Sequence, residues 1–198
     1  MHRDMKKSIM ILTIWMVVGT QWCMLNAQTM KQIFQTLPDS ILPSLSKNDR
    51  LDLIDLYENK MQNEVNNQLR GKSRMTVLTE NLTKIQLSEL AEVQLCKLPT
   101  PDSYLICMIH SVKADAWDSN TRFYNPDWTP AKYHLSASSS GKILMTFYYN
   151  NFTDDLTLAT TVSSLRNDEG KIVLKEGATV NIKWDKEQER FLKDEDQQ

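Results

Sequence analysis

The sequence predicts an α+β fold, in which N-terminal helices pack on an antiparallel β-meander that forms a sandwich or an open barrel. Apolar residues recur at spacings of three or four over residues 29–69, as in amphipathic helices. After Gly71 the period changes to two, and β-branched and aromatic residues become frequent. Short connections separate the strand-like segments, which favours antiparallel pairing because parallel strands need long crossovers.

Residues 1–27 have the pattern of a secretory leader. Three basic side chains precede an uncharged run from Ser8 to Thr20, and the leader ends on the small Ala27. The run is shorter than the about 20 apolar residues that a transmembrane helix needs. We therefore predict cleavage before Gln28, no transmembrane segment afterwards, and an exported protein that is periplasmic, extracellular or associated with the outer membrane.

Residues 28–198 are long enough for one domain with a substantial core. We predict a single domain that is helical over 29–69 and β-rich over 74–193. The net charge is −2 for the whole chain and −4 without the leader, and lysines and arginines are not clustered. This charge pattern argues against a nucleic-acid partner, because nucleic-acid binding requires basic patches.

Two helices are predicted in the N-terminal segment. The first covers residues 29–37 and ends before Pro38, which cannot continue a helix. The second runs from about 47 to 69, starting after a Ser46 cap and ending at Gly71. Its apolar stripe from Leu51 to Val65 is expected to cover one face of the sheet.

The β-rich part contains ten strand-like segments with period two: 75–80, 84–88, 92–98, 104–113, 119–125, 142–149, 155–164, 171–175, 178–184 and 188–193. The longest irregular stretch lies among them, at 126–141. Long surface loops often carry binding sites, so we expect a binding loop there.

Two cysteines, Cys96 and Cys107, are disulfide candidates. A hairpin centred between Pro101 and Asp102 places them directly opposite each other. In a non-hydrogen-bonded pair their Cα atoms would be about 4.5 Å apart, at the short end of the disulfide range. Either one cross-strand bridge or two buried thiols fits, because export favours oxidation while free cysteines are typical small hydrophobic residues.

Four stretches carry a family resemblance: PDSILP from Pro38, LSKNDRLDLID from Leu45, GKSRMTVLT from Gly71 and FYNPDW from Phe123. Together they resemble the secreted Bacteroidales family called domain of unknown function 3256. The resemblance spans nearly the whole mature chain and is sharpest over 38–79. It implies an exported protein of a gut-type Gram-negative bacterium, and it implies no activity and no catalytic residues.

The sequence lacks the common catalytic and metal-binding motifs. The mature chain has two histidines, His110 and His134, without the spacing of a zinc site. It has no G-x-S-x-G elbow, phosphate-binding glycine loop or C-x-x-C pair. The oxygen-rich segment 150–155 lacks the glycine and distal glutamate of a calcium loop. We therefore expect no metal and no cofactor.

Carboxylates of the 115–127 region give the alternative function, a periplasmic hydrolase. Asp115, Asp118 and Asp127 bracket Trp117 and Trp128. Paired acids beside aromatic residues are typical of enzymes that hydrolyse carbohydrates. Aspartates at turns also cap backbone N–H groups, which explains the same residues without catalysis.

We favour a non-enzymatic binding or scaffold module for a protein or glycan partner, acting through loops near 114–141. Its predicted binding residues are aromatic side chains that would form an apolar platform, together with polar neighbours: Trp117, Phe123, Tyr124, Asp127, Trp128 and His134. The competing interpretation is that the aromatic residues fill the core of the sheet.

Overall fold

The computed structural model describes residues 28–114, 117–133, 143–150, 157–166, 172–174 and 179–193, with side chains over 28–114, 117–133 and 182–192. The predicted leader, Asp115 and His134 lie outside the described residues, as do residues 134–141 of the predicted loop 126–141.

Two helices open the described chain, α1 (Met30–Thr36) and α2 (Lys47–Glu58). Each begins with a capping box, in which a hydroxyl and a side chain three residues later satisfy backbone N–H groups reciprocally. In α2 these residues are Ser46 and Asp49, with Ser46 N–H donating to Asp49 Oδ2 over 2.8 Å. The predicted start of this helix is therefore correct.

The predicted end of the second helix, at residue 69, is wrong. The helix stops at Glu58, Asn59 is its C-cap, and Lys60 adopts a positive φ of 54°. A short strand over Glu64–Asn66 follows instead. Asparagine side chains within the predicted range 47–69 bond to backbone groups. Asparagine competes with helical hydrogen bonds in this way. Asn63 Nδ2, for example, donates to Met75 O over 2.7 Å.

The strands form two antiparallel sheets. The first contains β1 to β6 in chain order, and the second has the order β11-β10-β8-β7, with β9 paired to β8. Their bounds are β1 Glu64–Asn66, β2 Lys72–Leu78, β3 Leu82–Ser88, β4 Ala91–Pro99, β5 Tyr104–Lys113, β6 Trp117–Tyr124, β7 Ile143–Asn150, β8 Thr157–Arg166, β9 Ile172–Leu174, β10 Thr179–Asp185 and β11 Arg190–Lys193. Each predicted strand agrees with an observed one to within three residues at its ends, whereas β1 was not predicted.

The α+β class with an antiparallel meander is confirmed, and no pairing among the described strands closes the first sheet into a barrel. Helices α1 and α2 pack on one face of that sheet. Buried residues of this layer come from both helices and five strands: Met30, Ile33, Phe34, Leu53, Ile54, Met75, Ile85, Val93, Leu95, Ile106, Met108 and Tyr124. Leu51 belonged to the predicted covering stripe, but it is 38% exposed.

The opposite face of the first sheet packs against β10 of the second. Trp184 supplies the contact, and its indole Nε1 donates to Pro99 O over 2.7 Å. Its neighbours in this second cluster are Leu82, Cys96, Leu98, Cys107, Ile109 and Phe123. The described residues therefore form three layers in this order: the two helices, the first sheet and part of the second sheet.

The predicted register of the β4–β5 hairpin is confirmed, with Cys96 opposite Cys107. Thr100 N–H donates to Ser103 O over 3.0 Å at the turn. Hydrogen-bonded and non-hydrogen-bonded residue pairs alternate along antiparallel strands. Counting from this bond at the turn, Cys96–Cys107 is a hydrogen-bonded pair, with Cα atoms about 5.5 Å apart. Both side chains are buried free thiols, and burial raises the pKa of each. The disulfide stays a prediction.

Candidate functional site

Three aromatic residues of the predicted platform lie in the core. Phe123, Tyr124 and Trp128 are only 5%, 6% and 7% exposed, respectively. The Trp128 ring packs against Tyr124 with centroids 5.6 Å apart, and its Nε1 donates to Thr36 Oγ1 over 3.3 Å. These contacts attach the turn after β6 to α1, so the exposed platform does not form from these side chains.

Trp117 is not brought close to the other described platform residues. Trp117 is half-buried at the start of β6, whereas Trp128 lies beyond the end of that strand. At about 3.3 Å per residue, the eight-residue strand separates them by more than about 20 Å. His134 lies outside the described residues.

The carboxylates of the same region have local backbone roles. Asp127 Oδ1 accepts hydrogen bonds from the hydroxyl and backbone N–H of Thr129 over 2.6 and 3.0 Å, and these bonds lower the pKa of the carboxyl. Asp118 accepts from Ser119 N–H over 2.9 Å at the opposite end of β6. Their separation exceeds the about 6.5–9.5 Å between the carboxyls of an inverting glycosidase.

A groove with a volume of about 560 Å³ opens on the helix-covered face of the first sheet. Four adjacent strands supply its floor, through Leu87 and Ser88 of β3, Ala91 of β4, Met108, His110 and Val112 of β5, and Asn120 and Arg122 of β6. Two segments form its walls: the turn 41–44 between the helices, and the segment 67–71 between β1 and β2. Sequence reasoning had singled out only His110 among these residues.

The two walls are joined to each other and to α2. Gln68 N–H donates to Ser44 O over 2.9 Å, which links the segment 67–71 to the turn 41–44. The Gln68 side chain donates to Asp49 Oδ2 over 2.9 Å. Although burial raises the pKa of Asp49, hydrogen bonds from Gln68 and Ser46 outweigh it and lower that pKa. The capping carboxylate of α2 therefore also positions a groove wall.

Asn67 organises the segment 67–71 from within. Its Oδ1 accepts from Leu69 N–H and Gly71 N–H over 3.0 and 2.9 Å, and its Nδ2 donates to Ser73 Oγ and Leu87 O over 3.0 Å each. The amide thus uses its full bonding capacity in a site that is 92% buried. This network ties the wall to the floor.

The groove is apolar at one end and polar at the other. Leu87 and Ala91 line the end at β3 and β4, and on its rim Leu69 and Val112 are 75% and 47% exposed. Polar side chains from β5 and β6 line the other end: His110, Asn120 and Arg122.

Arg122 carries the only formal charge among the residues that line the groove. Its Nε donates to Asn120 Oδ1 over 3.3 Å, and it forms no salt bridge with any carboxylate in the described part of the chain. Burial, and then the neighbouring Arg122 charge, lower the pKa of His110 below its ordinary 6.5. The imidazole is therefore mostly neutral at pH 7.

Ser44 contributes a buried hydroxyl to the wall. The residue is 7% exposed, and its Oγ has no hydrogen-bond partner among the described residues. Buried polar atoms are nearly always hydrogen-bonded, so this hydroxyl is available to a water molecule or to a group that enters the groove.

A second hollow, of about 690 Å³, lies between α1, α2 and the β2–β3 turn. Most of the residues that line it are polar or charged, and they include the Lys31–Glu58 ion pair, with Nζ and Oε2 2.7 Å apart. The apolar floor makes the groove the stronger candidate, because small-molecule sites are mostly apolar with a few placed polar groups.

The described residues contain no cluster of three potential metal ligands. None of the described helices is long and apolar enough to span a bilayer.

The model of the family described as Protein of unknown function (DUF3256) matches residues 22–140, which is more than half of the chain. The chain belongs to DUF3256. This membership confirms the family that the sequence resembles, over residues 22–140 rather than nearly the whole mature chain. The match includes every residue that lines the groove. No curated protein matches this DUF3256 chain.

The DUF3256 chain is also similar to the solved structure of a domain of an uncharacterized protein from Porphyromonas gingivalis W83. The two share 20% sequence identity with a TM-score of 0.61, and the alignment covers 83% of this chain and 96% of that one. At this identity the similarity shows a shared fold.

Proposed function

We propose that this chain is a non-enzymatic binding module and that the groove is its binding site. The observation that carries the proposal is the framed apolar groove, whose volume of about 560 Å³ lies in the about 300–1,000 Å³ range of ligand sites. The exposed Leu69 and Val112 on its rim add apolar surface that an occupant would remove from water.

The lining favours an apolar occupant over a sugar. None of the residues that line the groove is a phenylalanine, tyrosine or tryptophan, and three of the rings proposed for a glycan platform are buried elsewhere. Burial of apolar surface is favourable by about 25 cal/mol per Å², so an alkyl group gains affinity from this floor. A sugar ring would instead leave hydroxyl groups against apolar side chains at a desolvation cost.

The groove can be tested by filling it. Ala91→Trp places a large side chain on the floor, whereas Leu90→Trp places the same side chain at a neighbouring position that is 56% exposed and does not line the groove. We expect the fluorescence of the neutral apolar dye Nile red to increase with wild-type protein and with Leu90→Trp, and to change little with Ala91→Trp. Equal dye binding by all three proteins would contradict the proposal.

A polar substitution on the rim provides a second test that does not depend on the folding of Ala91→Trp. Leu69 is 75% exposed, so Leu69→Asp removes apolar rim surface at little cost in stability. We expect weaker Nile red binding with an unchanged melting temperature. Unchanged dye affinity in this variant would also count against the groove.

We further propose that the protein is exported and begins at Gln28 after removal of the leader. The support is the charged start, the apolar run and the small residue at position 27. The intact mass of protein isolated from its native cells tests this. A chain that begins at Gln28 in an exported fraction supports the proposal, and a chain that begins at Met1 in the cytosol contradicts it.

A further inference from the structure

We propose that the groove binds a single-chain anionic amphiphile, such as a long-chain carboxylate, with its head group at Arg122 and its chain directed toward Leu87. This inference rests on the proposed function, because it names the ligand class of the same groove.

The charge of the groove favours an anionic head group. Arg122 is its only formally charged residue, and the terminal nitrogens of the guanidinium form no hydrogen bond or ion pair within the described ranges. The bond from Nε to Asn120 orients the guanidinium plane. A guanidinium held in this way presents a planar pair of donors, which matches the two oxygens of a carboxylate.

The length of the groove favours an extended chain. Arg122 lies on β6 directly opposite Met108 of β5, and Ala91 of β4 lies between β5 and Leu87 of β3. Three steps between adjacent strands, each about 4.8 Å, separate β6 from β3 by about 14 Å across the sheet. Ala91 pairs with Val112, so the apolar end is also offset from Met108 by about 13 Å along β5. Met108 lies along this path, and a flexible thioether adapts easily to an alkyl chain.

A peptide fits the lining less well than an amphiphile does. Each buried peptide group brings an N–H and a C=O that need partners, and burying them unpaired is costly. The β3–β4 end of the floor offers apolar Leu87 and Ala91 and a single side-chain hydroxyl, that of Ser88. His110, which is mostly neutral and lies beside Arg122, supplies one further polar contact there, which suits one compact head group.

The test compares three ligands of equal chain length by isothermal titration calorimetry below their micelle concentrations: laurate, 1-dodecanol and dodecyltrimethylammonium. We expect laurate to bind about fivefold to tenfold more tightly than dodecanol, as one charge-assisted contact at a solvent-accessible site allows. The cationic ligand should bind most weakly. High salt should reduce the preference for laurate, because salt screens exposed charges.

Arg122→Gln should abolish the preference for laurate, so that laurate and dodecanol bind this variant with equal affinity. The matched control is Arg74→Gln, because Arg74 is an exposed arginine of the same sheet that does not line the groove. We expect this variant to retain the wild-type preference.

The outcomes separate the two proposals. If dodecanol and laurate bind equally and Ala91→Trp weakens both, the anionic ligand class is wrong while the binding groove stands. If neither binds and Nile red is also not bound, the proposed function itself fails. Tighter binding of a peptide with a free C-terminal leucine than of laurate would overturn the amphiphile and favour a protein partner.

Discussion

Arg50 is a buried cation that holds the turn between the two helices. Its side chain is 2% exposed, and its guanidinium donates to Leu37 O, Leu45 O and Asp39 Oδ1 over 2.5, 2.6 and 2.8 Å. The turn enclosed by Leu37 and Leu45 includes one groove wall. A single side chain of α2 thus satisfies backbone carbonyls at both ends of that turn.

We expect Arg50→Met to lower the free energy of unfolding by about 3 kcal/mol, because it leaves two carbonyls without their donor and breaks a buried charge contact. Urea denaturation measures the loss. The control is Asp39→Asn: the carboxylate side chain is 61% exposed, so we expect a change below about 1 kcal/mol. Equal losses in the two variants would show that the ion pair, rather than the carbonyl contacts, dominates.

Trp128 and Trp117 are expected to respond differently to truncation. Trp128→Ala removes a side chain that is 7% exposed and bonded to α1, so we expect a loss of about 3–5 kcal/mol in the free energy of unfolding. Trp117→Ala affects a half-buried residue at a strand end, where we expect less than about 2 kcal/mol. Guanidinium unfolding followed by circular dichroism gives both values, and similar losses would contradict the assigned burial.

The capping box of α2 links helix stability to the groove wall. Asp49 accepts from Ser46 N–H and from the Gln68 side chain. We expect Asp49→Asn to lower the free energy of unfolding by about 1 kcal/mol at pH 7. Asp52→Asn, an exposed change within the same helix, serves as the control.

The effect of Asp49→Asn should depend on pH. Because the folded-state pKa of Asp49 is lower than its ordinary 3.8, its ionised form stabilises the fold above that value. This stability is lost as the pH falls through the folded-state pKa. The wild-type and Asp49→Asn melting temperatures should therefore converge in acid, and a constant difference from pH 7 down to pH 2 would contradict the assigned role.

The β4–β5 hairpin makes a prediction about oxidation. The hydrogen-bonded register places the Cα atoms of Cys96 and Cys107 about 5.5 Å apart, within the usual range for a disulfide. If the protein is exported, we expect the oxidised chain to weigh two hydrogens less than the reduced chain, a difference absent from Cys96→Ala. An intact mass that reduction does not change would leave two buried thiols.

The sequence predicted some elements well because their determinants are local. The β4–β5 register follows from one turn at Pro101 and Asp102. The end of α2 was missed because Met61 and Val65 continue the helical spacing, while the segment after the helix is held by side-chain bonds to distant backbone groups. Asn63 bonds to Met75 of β2, for example, and no periodicity reports such a contact.

The candidate site was harder to predict because it depends on the assembly of distant segments. Its walls come from residues 41–44 and 67–71, and its floor comes from four strands. Because the helix was predicted to continue to residue 69, the segment 67–71 was not recognised as a loop. The aromatic residues that suggested a platform pack between the layers instead.

The chain-order pairing of the first sheet bears on how the molecule reaches its native state. Each strand from β1 to β6 adds to the one synthesised just before it, so contact order within this sheet is low and every closing loop is short. Nucleation at any one hairpin can therefore spread in both directions without a large entropic barrier. The groove, whose floor includes the last strand of this series, becomes complete only when β6 docks.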